Sequence, residues 1–221
     1  IQEQLENIQD RDVIEVEMNG TTTVPGDIFA TIRGRDVTVV FHMGDGITWK
    51  VNGKDVTSTE VKDIDFGVVL GGEAGKTIPV EIINNVTGER YFVNMTLAYD
   101  GEFGFKAVLT VNVDKKNAGL FANLFYYNEQ SGGLEFVCAG EIDSKGEVEL
   151  TFTHASDYTI ILDKQSMEAG AVEDPMNPVT AEEVSAAGSF NPIWVLLIAL
   201  AVIVLGVGGF LFVRVRRKTE E

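Results

Sequence analysis

The sequence predicts an all-β chain, an antiparallel Ig-like or Greek-key β-sandwich, followed by a single C-terminal transmembrane helix. Two observations lead to this prediction. Residues 13–163 consist of short segments rich in β-branched and aromatic residues, separated by clusters of turn-forming residues. Residues 193–213 form an apolar run of 21 residues, IWVLLIALAVIVLGVGGFLFV, without a charged or amide side chain. The strand spacing favours antiparallel sheets over a βαβ sheet, arranged as one sandwich or as two that meet near residues 99–104.

The predicted strands follow a polar lead-in, residues 1–12. Each alternates apolar and polar residues or is β-branched and aromatic throughout. Turn-forming clusters at 84–85, 100–101, 131–133 and 144–146 separate several of them. The predicted strands are 13–18, 36–43, 47–51, 54–56, 77–83, 90–98, 105–113, 120–128, 134–138, 148–153 and 158–163.

Two local signals are stronger than the rest. Asn52-Gly53 stands between two strand patterns and predicts a hairpin, because both central residues of a type I′ turn need positive φ. Residues 25–34, PGDIFATIRG, predict one or two helical turns. Pro25 suits a first turn, Ile28, Phe29 and Ile32 share one face, and Gly34 can end the helix.

The C-terminal third changes character twice. Residues 164–191 contain two prolines, many carboxylates and no periodicity, which predicts an acidic stalk. The apolar run 193–213, preceded by Pro192, would span roughly 32 Å as a helix at about 1.5 Å per residue, enough for a hydrocarbon core. The basic residues that follow in 214–221 identify the cytoplasmic end by the positive-inside rule.

These segments predict a single-pass protein of the plasma membrane. Its N-terminal region would be extracellular, its C-terminus cytoplasmic, and its contact with the lipid bilayer would run through residues 193–213. The run does not follow a Leu-Pro-x-Thr-Gly sorting signal, which favours a retained helix over transfer to a cell wall. Because an exported domain needs a signal and residue 1 is Ile, we expect a processed form or the C-terminal part of a longer chain.

Charge and composition exclude several classes of function. The formal net charge is -17, which opposes binding to DNA or RNA because phosphate contacts require clustered Lys and Arg. The segment after Val213 carries +2 and the rest of the chain -19, so the acidity lies on the predicted outer side. The single cysteine, Cys138, excludes an intramolecular disulfide, and with two histidines, His42 and His154, a His- or Cys-rich metal site is not expected.

Two long segments of the domain resemble a known kind of module. They are residues 24–56, VPGDIFATIRGRDVTVVFHMGDGITWKVNGKDV, and residues 120–163, LFANLFYYNEQSGGLEFVCAGEIDSKGEVELTFTHASDYTIILD. Both are similar to modules used repeatedly in the surface proteins of clostridia and related Gram-positive bacteria. The resemblance, which covers about residues 13–163, implies a cell-surface β-module that precedes a stalk and an anchor. It also implies a position downstream of adhesive or glycan-active domains and no established chemistry of its own.

The segment His154-Ala155-Ser156-Asp157 contains a base, a nucleophile and a carboxylate. Adjacent residues cannot normally form a catalytic relay, which depends on convergence in space. The pattern His-x-Ser also resembles the self-cleavage motif of ZU5 and GAIN modules, which would place scission at Ala155-Ser156, although Ala155 is smaller than their bulky apolar residue. The favoured interpretation is a turn before a strand that begins at Tyr158, whose phenol would bond back to the backbone as in a tyrosine corner.

Other residues admit a binding interpretation and a structural one. Phe121, Phe125, Tyr126, Tyr127 and Trp49 could line a sugar-binding face. Both faces of strand 120–128 are apolar, however, and Trp49 alternates with Ile47 and Val51, so core packing is favoured.

For the carboxylates and the thiol, the structural interpretation is again favoured. Asp45, Asp63, Asp65 and Asp100 could bind Ca²⁺, but no EF-hand loop is present and solvated turn carboxylates are favoured. Cys138 ends an apolar strand and is expected to be a buried thiol.

The sequence thus predicts a non-enzymatic, membrane-anchored β-module at the cell surface that acts as a structural, display or adhesion element. No catalytic, cofactor-binding or metal-binding residue is assigned, and no cofactor is expected. Two alternatives stay open: a module that binds a surface glycan or a protein ligand, and an autoproteolytic module of the ZU5 or GAIN kind.

Overall fold

The structure, a computed structural model, describes residues 8–72 and 74–168 together with the backbone of 212–216. Its strands are β1 (Val13–Glu17), β2 (Thr23–Val24), β3 (Thr38–Gly44), β4 (Ile47–Val56), β5 (Ile64–Asp65), β6 (Val68–Leu70), β7 (Phe92–Asn112), β8 (Phe121–Asn128), β9 (Gly133–Glu141), β10 (Glu147–Asp163) and β11 (Phe212–Arg216). Its helices are α1 (Gly26–Ile32), α2 (Val80–Thr87) and a 3-10 turn, Lys115–Asn117. The prediction of a chain made mostly of β-strands is confirmed.

The strands form one mixed sheet with the order β11-β1-β3-β4-β7-β10-β8-β9, with β6 also paired to β7. Strands β2 and β5 form a separate small pair. Every pairing in the large sheet is antiparallel except that of β1 with β3, which is parallel. Since α1 lies between β1 and β3 in the chain, this part is a βαβ unit, and the expectation of purely antiparallel sheets is wrong there.

Strands β7 and β10 are long, and they belong to both halves of the sheet. The pairing of β10 with β7 shifts register between Phe152 and His154 and again between Ala155 and Asp157. One half of this ribbon pairs with β4, and the other half pairs with β6 and β8. Bulges let a strand turn a corner between two packed layers, so one continuous sheet can enclose one core. The possible boundary at 99–104 lies inside β7.

The core is a large apolar cluster to which both halves contribute. It contains an aromatic group in which Trp49 stacks on Phe66 at 4.8 Å and Phe29 stacks on Phe105 at 4.4 Å between ring centroids. A smaller cluster, centred on Phe125, Ile161 and Met167, lies apart from the large one and has Val86 of α2 packed against it.

The hairpin predicted at Asn52-Gly53 is wrong, because both residues lie inside β4. The turn between β3 and β4 is instead formed by Asp45 and Gly46, with φ of 52° and 77°. A glycine is needed at position 53 because a Cβ there would lie 2.0 Å from the carbonyl oxygen of Ile32. The glycine therefore permits the end of α1 to lie directly on β4.

The helix predicted within residues 25–34 is confirmed as α1, with Ile28, Phe29 and Ile32 buried. The strand predicted at 77–83 is wrong, because Val80–Thr87 form α2. Ile83 is buried and Val86 packs against the smaller apolar cluster, whereas Val80 is exposed. Helical spacing thus prevails over the β-branched composition of this segment.

The predicted stalk lies outside the described residues beyond Glu168, as does the predicted transmembrane helix up to residue 211. Among the described residues, no helix is long and apolar enough to cross a membrane. Residues 212–213, predicted to end that helix, and 214–216, predicted to begin the cytoplasmic tail, form β11 against β1. This placement differs from the sequence prediction. Its physical reason is that FVRVR alternates apolar and basic residues and so matches the open edge of VIEVE.

Candidate functional site

The segment His154–Asp157 lies within β10, so the turn predicted there is wrong. Ala155 pairs with Gly101 and Asp157 with Thr96, on either side of a bulge. The predicted phenol contact is nevertheless confirmed: the Tyr158 hydroxyl donates to the carbonyl oxygen of His154 at 2.6 Å. Burial strongly raises the pKa of this phenol, which keeps it a neutral donor.

The base and the carboxylate of this segment have separate environments. The His154 ring packs against Tyr126 and Tyr158, with centroid separations of 5.0 and 5.8 Å. The Asp157 carboxylate accepts hydrogen bonds from the hydroxyls of Thr77 and Thr96, one on each oxygen. It therefore fastens the 71–79 connection to β7, and both oxygens are engaged in this structural role.

The backbone at Ala155 and Ser156 does not have positive φ. Among the described residues, the non-glycine positions with positive φ are Arg11, Asn19, Asp45 and Asp114. Ala155 is buried and paired within the sheet. The structure therefore gives no geometric support to scission at this bond, which would be assisted by a strained conformation.

The aromatic residues are divided between the core and a partly exposed face. Trp49 is fully buried and its indole N–H donates to the carbonyl oxygen of Phe66 at 3.0 Å, so its predicted inward orientation is confirmed. Phe125 is buried and contacts Phe136 at 5.5 Å between centroids, which also confirms core packing.

Tyr126 lies on one face of β8, whereas the half-buried Tyr127 and Phe121 lie on the other face with Phe125. The Tyr126 hydroxyl donates to Glu135 at 2.7 Å, and Asn128 and Ser131 donate to the same carboxylate. These donors lower the pKa of Glu135, and the carboxylate in turn raises the pKa of Tyr126. The hydrogen bonds close a tight β8–β9 hairpin, and that role accounts for the polar groups.

The carboxylates considered for Ca²⁺ also have identifiable structural roles. Asp63 accepts from the backbone N–H of Gly26 at 2.9 Å and so caps the start of α1 from outside the helix. Asp65 accepts from the N–H of Gly67 at 2.9 Å, Asp45 forms the β3–β4 turn, and Asp100 lies in β7. Within the described parts of the chain, no three His, Cys, Asp or Glu side chains are grouped as a metal site.

Cys138 joins β9 to β10 through its sulfur. The thiol accepts from the backbone N–H of Thr151 at 3.3 Å, and its Sγ lies 3.8 Å from the carbonyl oxygen of the same residue. The side chain is partly buried, and burial raises the pKa of the thiol. A raised pKa lowers the fraction of reactive thiolate at neutral pH, as expected for a structural thiol.

A polar site made of several hydrogen bonds lies at the end of β10. Asn123 of β8 is fully buried, and its amide nitrogen donates to the carbonyl oxygens of Ile161 and Gln165, each at 3.2 Å. Its amide oxygen accepts from the backbone N–H of Met167 at 2.6 Å. One side chain thereby holds three backbone groups that are distant in sequence, two of which lie after the end of β10.

An ion pair completes this site. Arg90, which follows α2, binds the carboxylate of Asp163, and the two side chains are only 17% and 9% exposed. Asp163 also accepts from the N–H of Gln165, and Met167 is buried in the smaller apolar cluster. We call Arg90, Asn123, Asp163 and Met167 the exit clamp. Its members are far apart in sequence and were not singled out by the sequence analysis.

Comparison of the chain with protein-family models, with curated proteins and with solved structures finds no match.

Proposed function

We propose that this chain is a non-enzymatic, membrane-anchored module of a bacterial cell surface, which displays its β-domain, or domains upstream of it, outside the bilayer. The proposal assigns 13–163 to the exterior, 164–191 to a stalk, 192–213 to a membrane-spanning helix and 214–221 to the cytoplasm. Its support from the sequence is the apolar run with its basic end and the resemblance of the domain to clostridial surface modules.

The exit clamp is the structural observation that supports the proposal. A tethered module transmits every movement of its anchor through the point where it joins its stalk, which the proposal places just after β10. Here that point is held by three backbone hydrogen bonds to Asn123, by a largely buried ion pair and by the burial of Met167. Burying polar groups costs free energy unless they form hydrogen bonds, so the concentration of buried hydrogen bonds after β10 favours a mechanical role for the exit clamp.

The structural roles of the other polar groups favour display over catalysis. The carboxylate of Asp157 binds two threonine hydroxyls, and the carboxylate of Glu135 binds donors of its own hairpin. These groups are therefore occupied by the fold and are not oriented toward a common reacting atom.

Cysteine accessibility tests the proposed arrangement on the full chain. Because Cys138 is the single cysteine, Cys138→Ala provides a thiol-free background. Into it we would introduce Ser189→Cys, before the apolar run, or Thr219→Cys, after it, and treat intact cells with a membrane-impermeant maleimide. The proposal expects labelling of the first variant in intact cells and of the second only after permeabilisation. The thiol-free chain controls for reaction at other groups.

Extraction of the membranes with alkaline carbonate supplies an independent measurement. A chain held by a spanning helix stays in the pellet, whereas a peripheral chain is released. Equal labelling of both cysteine variants in intact cells, or release of the chain by carbonate, would overturn the proposal.

A further inference from the structure

The sequence contains two Asn-Gly pairs, Asn19-Gly20 and Asn52-Gly53. In such a pair the backbone nitrogen of the glycine can attack the side-chain carbonyl carbon of the asparagine. Glycine permits this attack because it has no side chain to hinder the approach and adopts a wide range of backbone angles. The local chemistry of the two pairs is therefore the same, but the fold places them in different surroundings.

Asn19-Gly20 lies in the exposed turn that follows β1. The two residues have φ of 47° and 87°, as in a type I′ turn, and the N–H of Thr21 closes the turn by donating to the carbonyl oxygen of Met18 at 3.0 Å. The Asn19 amide donates to the carbonyl oxygen of Glu17 at 3.3 Å, a contact on the exposed surface. A Cβ built on Gly20 would meet no atom within 4 Å. The pair is therefore open to water and lies outside the strands.

Asn52-Gly53 lies inside β4, which is paired on both sides. The N–H of Gly53 donates to the carbonyl oxygen of Val37 at 2.8 Å, so the attacking nitrogen is engaged. The Asn52 amide nitrogen donates to the Thr38 hydroxyl at 3.0 Å, and its amide oxygen accepts from the N–H of Lys54 at 2.9 Å. Attack at this pair requires that the middle of β4 first separate from its neighbours.

We propose that Asn19 is a site of spontaneous covalent modification and that the native fold restricts this reaction to one of the two Asn-Gly pairs. Hydroxide removes the N–H proton of Gly20, and the nitrogen then forms a bond to Cγ of Asn19. The bond between Cγ and the amide nitrogen breaks, and that nitrogen takes up a proton from water and leaves as ammonia. Water then opens the resulting succinimide ring at either carbonyl, which produces aspartate or isoaspartate at position 19 without oxidation or reduction.

The two pairs differ in the free energy needed to reach the attacking geometry. Local opening costs little at an exposed turn and approaches the global free energy of unfolding in the middle of a sheet. We therefore expect Asn19 to react nearly as fast as in an unfolded chain, whereas the sheet suppresses the reaction of Asn52. The product has one more carboxylate, and its isoaspartate form adds a carbon atom to the backbone after β1. Because only water and hydroxide are needed, the reaction is independent of the membrane anchor.

The experiment incubates the full chain in mild detergent and mildly alkaline buffer, with a parallel sample in guanidinium. Mass spectrometry of proteolytic peptides measures the replacement of the amide NH₂ by OH at each position. A protease that cleaves before aspartate, but not before isoaspartate, separates the two products. In the native chain we expect conversion at Asn19 to be at least about 10-fold faster than at Asn52, and in guanidinium the two rates should agree within about 2-fold.

Two variants serve as matched controls. Gly20→Ala places a side chain beside the attacking nitrogen and restricts its backbone, so conversion at Asn19 should slow at least about 10-fold while the rate at Asn52 stays unchanged. Asn19→Asp has no side-chain amide to lose, so its peptide should not change in mass. The same variant shows by ion-exchange chromatography where the aspartate product elutes.

Two results would overturn the proposal. One is an equal rate at the two positions in the native chain, or an Asn19 that stays intact while Asn52 converts. The other is a rate ratio that persists unchanged in guanidinium, which would show that neighbouring residues in the sequence, and not the fold, select Asn19.

Discussion

The exit clamp makes Asn123→Ala the most informative single substitution. The side chain forms three long-range hydrogen bonds, to the carbonyl oxygens of Ile161 and Gln165 and to the N–H of Met167. At a net value of about 1 kcal/mol each, their loss would cost about 3 kcal/mol. The segment after β10 can limit this cost by detaching, since its backbone groups then bind water. Detachment exposes Met167, which costs about 2 kcal/mol.

We therefore expect Asn123→Ala to lower the free energy of unfolding by about 2–3 kcal/mol. Guanidinium unfolding of the full chain in mild detergent, followed by circular dichroism, measures this loss. Amide exchange measures its location: Met167 should lose its protection, whereas Ile160 in the middle of β10 should keep it. Asn85→Ala on the exposed side of α2 is the matched control and should change stability by less than about 0.5 kcal/mol. An equally protected Met167 amide in Asn123→Ala would refute the clamp.

Three further predictions follow from single contacts. Gly53→Ala should lower the free energy of unfolding by about 3 kcal/mol or more, because the new Cβ would overlap the Ile32 carbonyl oxygen. Gly20→Ala should lower it by about 1 kcal/mol, because Gly20 has positive φ but open space around it. Chemical unfolding measures both changes. Asp143 accepts hydrogen bonds from backbone N–H groups, which lower its pKa. The stabilisation by this carboxylate is therefore present above pH 4 and lost below it. The difference in unfolding free energy between the unmodified chain and Asp143→Asn, measured between pH 6 and pH 3, should shrink as the pH falls. Cys138 should react slowly with a thiol reagent in the native chain and rapidly in guanidinium, as followed by mass spectrometry.

The outcomes are checked against specific alternatives. Equal effects of the two glycine substitutions would show that the contact with Ile32 does not determine the need for Gly53. A pH-independent difference for Asp143→Asn would show that the carboxylate is not held in its charged form. Rapid native labelling of Cys138 would show that its contact with Thr151 does not shield the thiol.

The local features of the chain were largely predictable from sequence. Helix α1 and most strand positions follow from apolar periodicity, and the turns at 131–133 and 144–146 follow from their residues. Trp49 and Phe125 were correctly predicted to face inward, since alternation along a strand determines which residues share a face.

The errors arose where distant contacts decide between two permitted local structures. Asn52-Gly53 and Asp45-Gly46 both suit a type I′ turn, and the choice depends on the approach of Ile32 to Gly53. Likewise Asp100-Gly101 has the composition of a turn, but the long pairing of β7 with β10 carries the strand through it. Tertiary packing determines which of the two permitted local structures forms, and residue propensities alone carry no information about that packing.

The exit clamp had a signal in the sequence that could have been used. Asn123 is an amide in the middle of the apolar strand LFANLFYYN, and a buried amide must find hydrogen-bond partners. That reasoning would have marked Asn123 as a structural centre. It would not have found Gln165 and Met167, because the partners are backbone groups without a side-chain signature.

The ribbon of β7 and β10 determines how the domain loses its structure on heating. Each half of the large sheet contains a segment of both strands, and the apolar cluster includes Leu109 and Leu150 from one half and Met95 and Ile160 from the other. Neither half can melt while the other retains its pairing and its core. We therefore expect residues 13–163 to unfold as one cooperative unit, with a calorimetric enthalpy equal to the van't Hoff enthalpy.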